Sequence, residues 1–275
     1  METIELEISG FRHQASLHRA MGHRVNKTIV YYHGGGFIFG SKDDLPVYAI
    51  HTLTSAGYDL LCMEYPKAPE MSLSQICDFV EQQLMWYLEN HKNLDLSKDY
   101  ILFGRSAGGY LALCLAKIMV SKKDRLPSKL IIFYGYETLN KPEFILCSDY
   151  YLNYPKLTWD DVKSAVEKQP VFETIVQKRY PLYIYARQTG QWLSLLGINE
   201  IKKKEEIGVQ GIEIPDIFLA ASFYDKDVRY QNSLEMNKEY SNSLLFTSWS
   251  NKHEFDEVEN SESVELYKRL LEWIY

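Results

Sequence analysis

From residue 28 to the end of the chain, short apolar runs of strand length alternate with longer segments of helical period. No other feature narrows the choice of fold so far. Thr28-Ile29-Val30-Tyr31-Tyr32, Asp59-Leu60-Leu61-Cys62-Met63, Tyr100-Ile101-Leu102-Phe103, Lys129 to Tyr134, Pro215 to Ala221 and Leu244 to Trp249 read as strands. Between them, residues 45–56, Ser72 to Leu88, Ala107 to Val120, 228–239 and 261–274 read as helices. In the second of these, Leu73, Ile76, Val80, Leu84 and Leu88 recur on one face, and Ser72 is a natural N-cap. Alternation of this kind predicts an α/β architecture, a mostly parallel sheet with helices on both faces. Residues 2–19 alternate apolar and polar around Ser9-Gly10, which predicts a strand pair at the sheet edge.

The alternation breaks once, between about residues 140 and 213. That stretch holds Pro142, Pro155, Pro170 and Pro181, mixed helical patterns and the run Lys202-Lys203-Lys204-Glu205-Glu206. A connection this long inside a compact domain is a functional loop or a small sub-domain. It reads as a helical cap, residues 140–213, inserted into a core made of 1–139 and 214–275. Its ten aromatics in 74 residues match the chain's 14%, so composition does not mark it as a binding surface. The charge run reads as a solvated helix face.

Composition excludes several classes. The 275 residues carry a net charge of -7, against a general nucleic-acid binder and, mildly, against an anionic membrane surface. No apolar run approaches the roughly 18 residues of a membrane span. Cys62, Cys77, Cys114 and Cys147 form no CxxC pair and sit in apolar stretches, which predicts reduced core thiols in a cytoplasmic protein.

Gly104-Arg105-Ser106-Ala107-Gly108 fits G-x-S-x-G and lies between a predicted strand and a predicted helix. A sharp turn there lifts the serine hydroxyl clear of the backbone, and the helix N-terminus offers free N–H groups to an anion. His33-Gly34-Gly35-Gly36 follows another strand. Its glycine N–H groups are unscreened and can point at a developing oxyanion. A phosphate loop is the competing reading, but G-x-x-x-x-G-K-[ST] is absent, and Phe39 occupies the last glycine position of G-x-G-x-x-G. His33 itself reads as a loop-holding residue.

A nucleophilic serine needs a base. In the chain order Ser…Asp/Glu…His the base follows the serine, and of the seven histidines only His253 lies beyond Ser106. His253-Glu254 does not extend to H-E-x-x-H, because residue 257 is Glu, so zinc is not supported. The orienting acid belongs just past the strand 215–221, where Asp225 and Asp227 are the candidates. Asp225 is preferred, and Asp227 better suits an N-cap role before the helix at 228.

These residues resemble the α/β-hydrolase superfamily and, within it, the hormone-sensitive-lipase-like esterases. His33-Gly34-Gly35-Gly36-Phe37 looks like that family's HGGG oxyanion motif, Glu64-Tyr65-Pro66-Lys67-Ala68-Pro69-Glu70 like its Y-R-L-A-P-E segment, and Gly104 to Gly109 like its G-D-S-A-G-G elbow. The resemblance runs in motif order over nearly the whole chain and implies the α/β-hydrolase fold. It implies Ser106 as nucleophile, His253 as general base and acid, Asp225 as orienting acid, and the N–H groups of Gly35, Gly36 and Ala107 as oxyanion hole. Three departures stand out. Arg105 replaces an acidic residue beside the nucleophile, which suggests a preference for anionic substrates unless its charge is paired elsewhere. The 32 residues before His33 are too few for an N-terminal cap, leaving 140–213 to supply it alone. Pro66-Lys67 replaces Arg-Leu, so packing there is expected to differ.

The expected activity is hydrolysis of a small carboxylic ester through an acyl-enzyme, with no cofactor and no metal. An amide hydrolase on the same triad, arylformamidase-like or peptidase-like, is the second reading. A non-catalytic small-molecule-binding protein on a hydrolase scaffold is the third, since fold does not fix function. No oligomeric state follows from the sequence.

Overall fold

A computed structural model describes residues 1–123, 125–198 and 214–275. The predicted strands form one eight-stranded sheet. They are β1 (Glu2–Ile8), β2 (Phe11–His18), β3 (Thr28–Tyr32), β4 (Asp59–Met63), β5 (Tyr100–Arg105), β6 (Lys129–Phe133), β7 (Ile217–Ser222) and β8 (Ser243–Ser248). Their spatial order is β1-β2-β4-β3-β5-β6-β7-β8. β1 and β2 are antiparallel, closed by Ser9 and Gly10 at positive φ, the backbone a tight two-residue hairpin requires. β2 runs antiparallel to β4, and every later pairing is parallel.

β3, β4, β5 and β7 are buried along their whole length, which is why their sequences are apolar without alternation. Alternate residues still serve opposite faces. Ile29, Tyr31, Ile101, Phe103, Ile131 and Phe133 pack with α1 (Val47–Ser55) and the late helix Ser261–Ile274. Val30, Tyr32, Leu102, Leu130 and Ile132 pack with α2 (Leu73–Asn90) and α3 (Ala107–Lys122). The α2 start is set by a capping box in which Ser72 and Gln75 satisfy each other's backbone N–H.

Between β6 and β7 the chain leaves the sheet. The described part carries the short helices α4 (Pro142–Ile145) and α5 (Trp159–Val162), the longer α6 (Val176–Thr189) and α7 (Trp192–Leu195). Pro142 sits at a helix start, as expected for a residue without an N–H, whereas Pro181 lies inside α6. Trp192 from this segment packs against Phe37 and Tyr136, just past the carboxyl ends of β3 and β6, Phe144 packs against Tyr136, and Tyr183 meets Trp192 edge-on. The run Lys202 to Glu206 lies outside the described residues. The chain closes with α8 (Gln231–Glu239), β8 and α9 (Ser261–Ile274), whose N-cap Asn260 accepts the N–H of Glu262 and Ser263.

The cysteine expectation needs correction at one position. Cys62 and Cys114 are buried and Cys77 partly so, but Cys147 is exposed in the loop after α4. All four are free thiols. Among the described residues no helix is long and apolar enough to cross a membrane.

Candidate active site

The parallel strands deliver the predicted residues to one rim. β3 and β5 are neighbours in register, Tyr32 opposite Gly104, so the glycine loop after β3 lies beside the turn after β5. Ser106 occupies that turn at φ 52 and ψ -118, a sparsely populated conformation held in place by its surroundings. The two flanking glycines make it possible. A Cβ on Gly104 would fall 2.0 Å from the carbonyl oxygen of Gly108, and one on Gly108 would fall 2.0 Å from that of Tyr32. Helix α3 begins at the next residue, which puts its positive dipole end beneath the hydroxyl.

Three side chains from distant parts of the chain meet here. His253 Nε2 is 2.8 Å from Ser106 Oγ, and His253 Nδ1 is 2.6 Å from Asp225 Oδ2. The other oxygen of Asp225 accepts the N–H groups of Asp227 at 2.8 Å and Val228 at 3.1 Å. Asp225 therefore braces its own turn, and α8 starts only at Gln231 with Tyr230 at its N-cap and no side-chain cap, so the expected N-cap role of Asp227 is not met. The carboxylate of Asp227 goes elsewhere, to Tyr183 Oη at 3.1 Å and to Arg187 at 3.2 Å.

Burial opposes charging of the His253 imidazole. The adjacent Asp225 carboxylate, with Asp227 and Glu254 behind it, outweighs that effect and raises its pKa to about 9. The ring of Tyr134 packs edge-on at 4.7 Å and fixes its plane.

The glycine loop is held from behind. The carbonyl of Gly35 accepts the N–H of Ile38 at 3.0 Å and of Phe39 at 3.1 Å. In a trans peptide this turns the N–H of Gly36 the opposite way. Among the described residues the N–H groups of Gly35, Gly36 and Ala107 donate to no protein acceptor. Both loop glycines have positive φ, and a Cβ on Gly35 would fall 2.1 Å from the carbonyl oxygen of Phe39.

The segment Glu64 to Glu70 forms the loop's foundation. His33 stacks on Tyr65 at 4.2 Å and meets Glu64 through Nε2 at 2.9 Å, so it holds the loop as expected. Tyr65 Oη donates to the carbonyls of His33 and Gly34. Glu64 is fully buried, yet Lys67 and His33 hold its pKa down at about 2. Burial pushes the Lys67 ammonium down, against the pull of Glu64. Lys67, at the departure from the esterase pattern, therefore supplies a buried counter-charge. Glu70 takes both ends of the Arg179 guanidinium at 2.8 Å, binding this segment to α6.

Arg105 does not face the site. Its guanidinium is buried, 3.0 Å from Asp256 Oδ1 and 3.6 Å from Asp44 Oδ2, and its Nε donates to Tyr134 Oη. The expected preference for anionic substrates therefore loses its basis.

A cavity of about 530 Å³ opens over Ser106 and His253. Phe39, Tyr150, Tyr151, Val176, Tyr180 and Tyr183 line it, together with the polar residues Lys226, Asp227, Asn251, Lys252, Glu254 and Glu257. Except for Phe39, the aromatic lining comes from the β6–β7 segment, whose composition gave no sign of it. Among the described residues no group of three or more His, Cys, Asp or Glu side chains could hold a metal ion.

Residues 29–171 match the family described as alpha/beta hydrolase fold, more than half of the chain. The chain belongs to the α/β-hydrolase family. This α/β-hydrolase is similar in structure to a protein of unknown function from Staphylococcus aureus subsp. aureus Mu50, with 26% identity, a TM-score of 0.87 and coverage of 100% of this chain and 98% of that one. It shares its fold with the carboxylesterase EstE1, cloned from a metagenomic library, at 17% identity and a TM-score of 0.69, over 99% of this chain and 87% of that one. In sequence it is 25% identical over 104 residues to an ethyl acetate hydrolase of Pseudomonas putida, 38% of this hydrolase but only 33% of that relative.

Proposed function

We propose that this α/β-hydrolase is a serine esterase for small carboxylic esters. The hydrogen-bonded chain from Asp225 through His253 to Ser106 carries the reading, at 2.6 and 2.8 Å. Each contact lies within the reach that general-base activation of a hydroxyl needs.

Ser106 Oγ attacks the ester carbonyl carbon as His253 Nε2 takes its proton. The carbonyl π electrons move to oxygen, and the N–H groups of Gly35, Gly36 and Ala107 receive that charge. The tetrahedral intermediate collapses, the alcohol leaves with the proton from His253, and the acyl group stays on Ser106. Water, deprotonated by His253, then attacks the acyl carbon. Ser106 leaves, regains the proton, and the carboxylic acid departs. Asp225 keeps the imidazole in the required tautomer and offsets its positive charge.

The cavity admits a small ester, and the described part of the predicted 140–213 insertion, which contributes Tyr150, Tyr151, Val176, Tyr180 and Tyr183 to its lining, acts as its cap. The ethyl acetate hydrolase similarity points to the same substrate size. Turnover of 4-nitrophenyl acetate tests the proposal. Wild type should hydrolyse it and Ser106→Ala should not; equal rates would refute the assignment.

A further inference from the structure

One buried cation joins the β6–β7 segment to both halves of the proposed machinery. Arg187, on α6, is only 2% exposed. Its NH1 donates to Tyr183 Oη at 3.0 Å and faces Asp227 Oδ1 at 3.2 Å. Its NH2 donates to the carbonyls of Asp227 and Glu143, each at 3.3 Å. The rings of Phe144, Tyr151, Tyr183 and Trp192 enclose it at 5.0 to 5.9 Å.

Two routes lead from this guanidinium to reacting positions. On one, Asp227 is gripped by both its carboxylate and its carbonyl, and its N–H holds the Asp225 oxygen that does not face His253. On the other, the Tyr183 ring presses on Gly36 so closely that a Cβ there would fall 2.4 Å from it. Trp192, a second wall of the same cage, donates its indole N–H to the carbonyl of Gly36 at 3.0 Å. The acid turn and the oxyanion loop thus share one support, although they follow β7 and β3 on different strands of the sheet.

An arginine is a costly way to fill this space. Desolvating a guanidinium is unfavourable, and an apolar side chain of similar volume would pack at least as well. What an apolar side chain cannot supply is a planar fork that fixes a carboxylate, a phenol and two carbonyls together. We infer that Arg187 is a positioning residue that holds the Asp225 turn and the Gly36 loop in one geometry. The inference rests on the triad reading above.

The same contact has a charge consequence. Asp227 is one of the carboxylates that hold the His253 pKa up, and Arg187 offsets it. The other groups facing His253 are Asp225, Glu254 and Tyr134, with Arg105 and Asp256 behind Tyr134, while Lys226 and Lys252 line the cavity. Facing Arg187 besides Asp227 are Tyr183, Tyr151 and Tyr136. Glu143, on α4, spends its carboxylate on Asn232 and Arg229.

The test measures kcat, KM and the pH dependence of kcat/KM for Arg187→Met, Arg187→Lys, Asp227→Asn and the double variant R187M/D227N. Rates are normalised to the fraction of enzyme labelled by a fluorophosphonate. In Arg187→Met, kcat should fall on the order of tenfold or more with KM within about twofold, the signature of misplaced groups rather than lost binding. The ascending limb should move up by about half a pH unit or more, because Asp227 is left uncompensated. Asp227→Asn should move it down, and the double variant should return it toward wild type. Arg187→Lys should restore the limb but not kcat. A wild-type limb in Arg187→Met, with rates lost only in proportion to labelling, would overturn the inference. If Arg187→Met does not fold, an unmoved limb in Asp227→Asn overturns it. A folded wild type that takes no label overturns the triad reading itself, and this inference with it.

Discussion

Asp225 divides its two carboxylate oxygens between His253 and its own turn: Oδ2 lies 2.6 Å from the imidazole, and Oδ1 accepts the N–H groups of Asp227 and Val228. The carboxylate is thereby fixed in place by its own turn. Asp227, two residues on, has no contact of this kind with the imidazole and is bound to Tyr183 and Arg187.

That division predicts unequal costs. Asp225→Asn should lower kcat by about 10⁴-fold, the scale seen when the orienting acid loses its charge. Asp227→Asn should cost far less. Steady-state kinetics on a short-chain ester decides, and the reverse ranking would move the acid's role to Asp227.

Removing Ser106, His253 or both should cost similar amounts, because groups that act as one unit are strongly non-additive. Ser106→Ala and His253→Ala should each lose several orders of magnitude in kcat. The double variant should lose little more. Additive losses would mean that the two residues work independently.

The charge on His253 links activity and stability to pH in opposite senses. Its folded pKa is raised to about 9 from 6.5, so the protonated form is favoured by folding. That contribution is complete below about pH 6.5 and lost as pH rises through about 9, amounting to at most about 3 kcal/mol. Denaturant unfolding should show stability declining across this window, with His253→Gln flattening the decline. The free base is what catalysis needs, so kcat/KM should climb over the same range. A decline that persists unchanged in His253→Gln would assign it to other groups.

Arg105 should matter for folding and not for substrate charge. It is paired with Asp256 in the interior, where Tyr134 and Tyr267 also donate to that carboxylate. Arg105→Met would leave Asp256 buried without its cation and should destabilise by about 3–5 kcal/mol. Anionic and neutral esters of matched size should show equal kcat/KM in wild type. A marked preference for the anionic ester would restore the view that Arg105 acts on substrate.

Much of this arrangement was legible in the sequence because it depends on short-range signals. Strand and helix positions followed from apolar runs, from Ser72 as a cap, and from Ser9-Gly10 as a turn, whereas the Asn260 cap emerged only in the structure. Ser106 and His253 followed from a motif in its local context and from histidine order. What was hidden lies in long-range contacts. Pro181, one of four prolines in the stretch where the alternation breaks, sits inside α6. The Tyr150, Tyr151, Tyr180 and Tyr183 wall has ordinary composition and becomes a cavity lining only when the segment folds over the sheet. Arg105 looked functional by its neighbour in sequence, and only the position of Asp256, 151 residues away, shows where its charge goes.

The central claim is that Ser106 is activated by His253. Its most direct test is fluorophosphonate labelling of the folded protein followed by intact-mass and peptide analysis. One adduct per chain, located on Ser106 and absent from Ser106→Ala, is the predicted result. Folded wild-type protein that takes no label, or label that persists in Ser106→Ala, would contradict it.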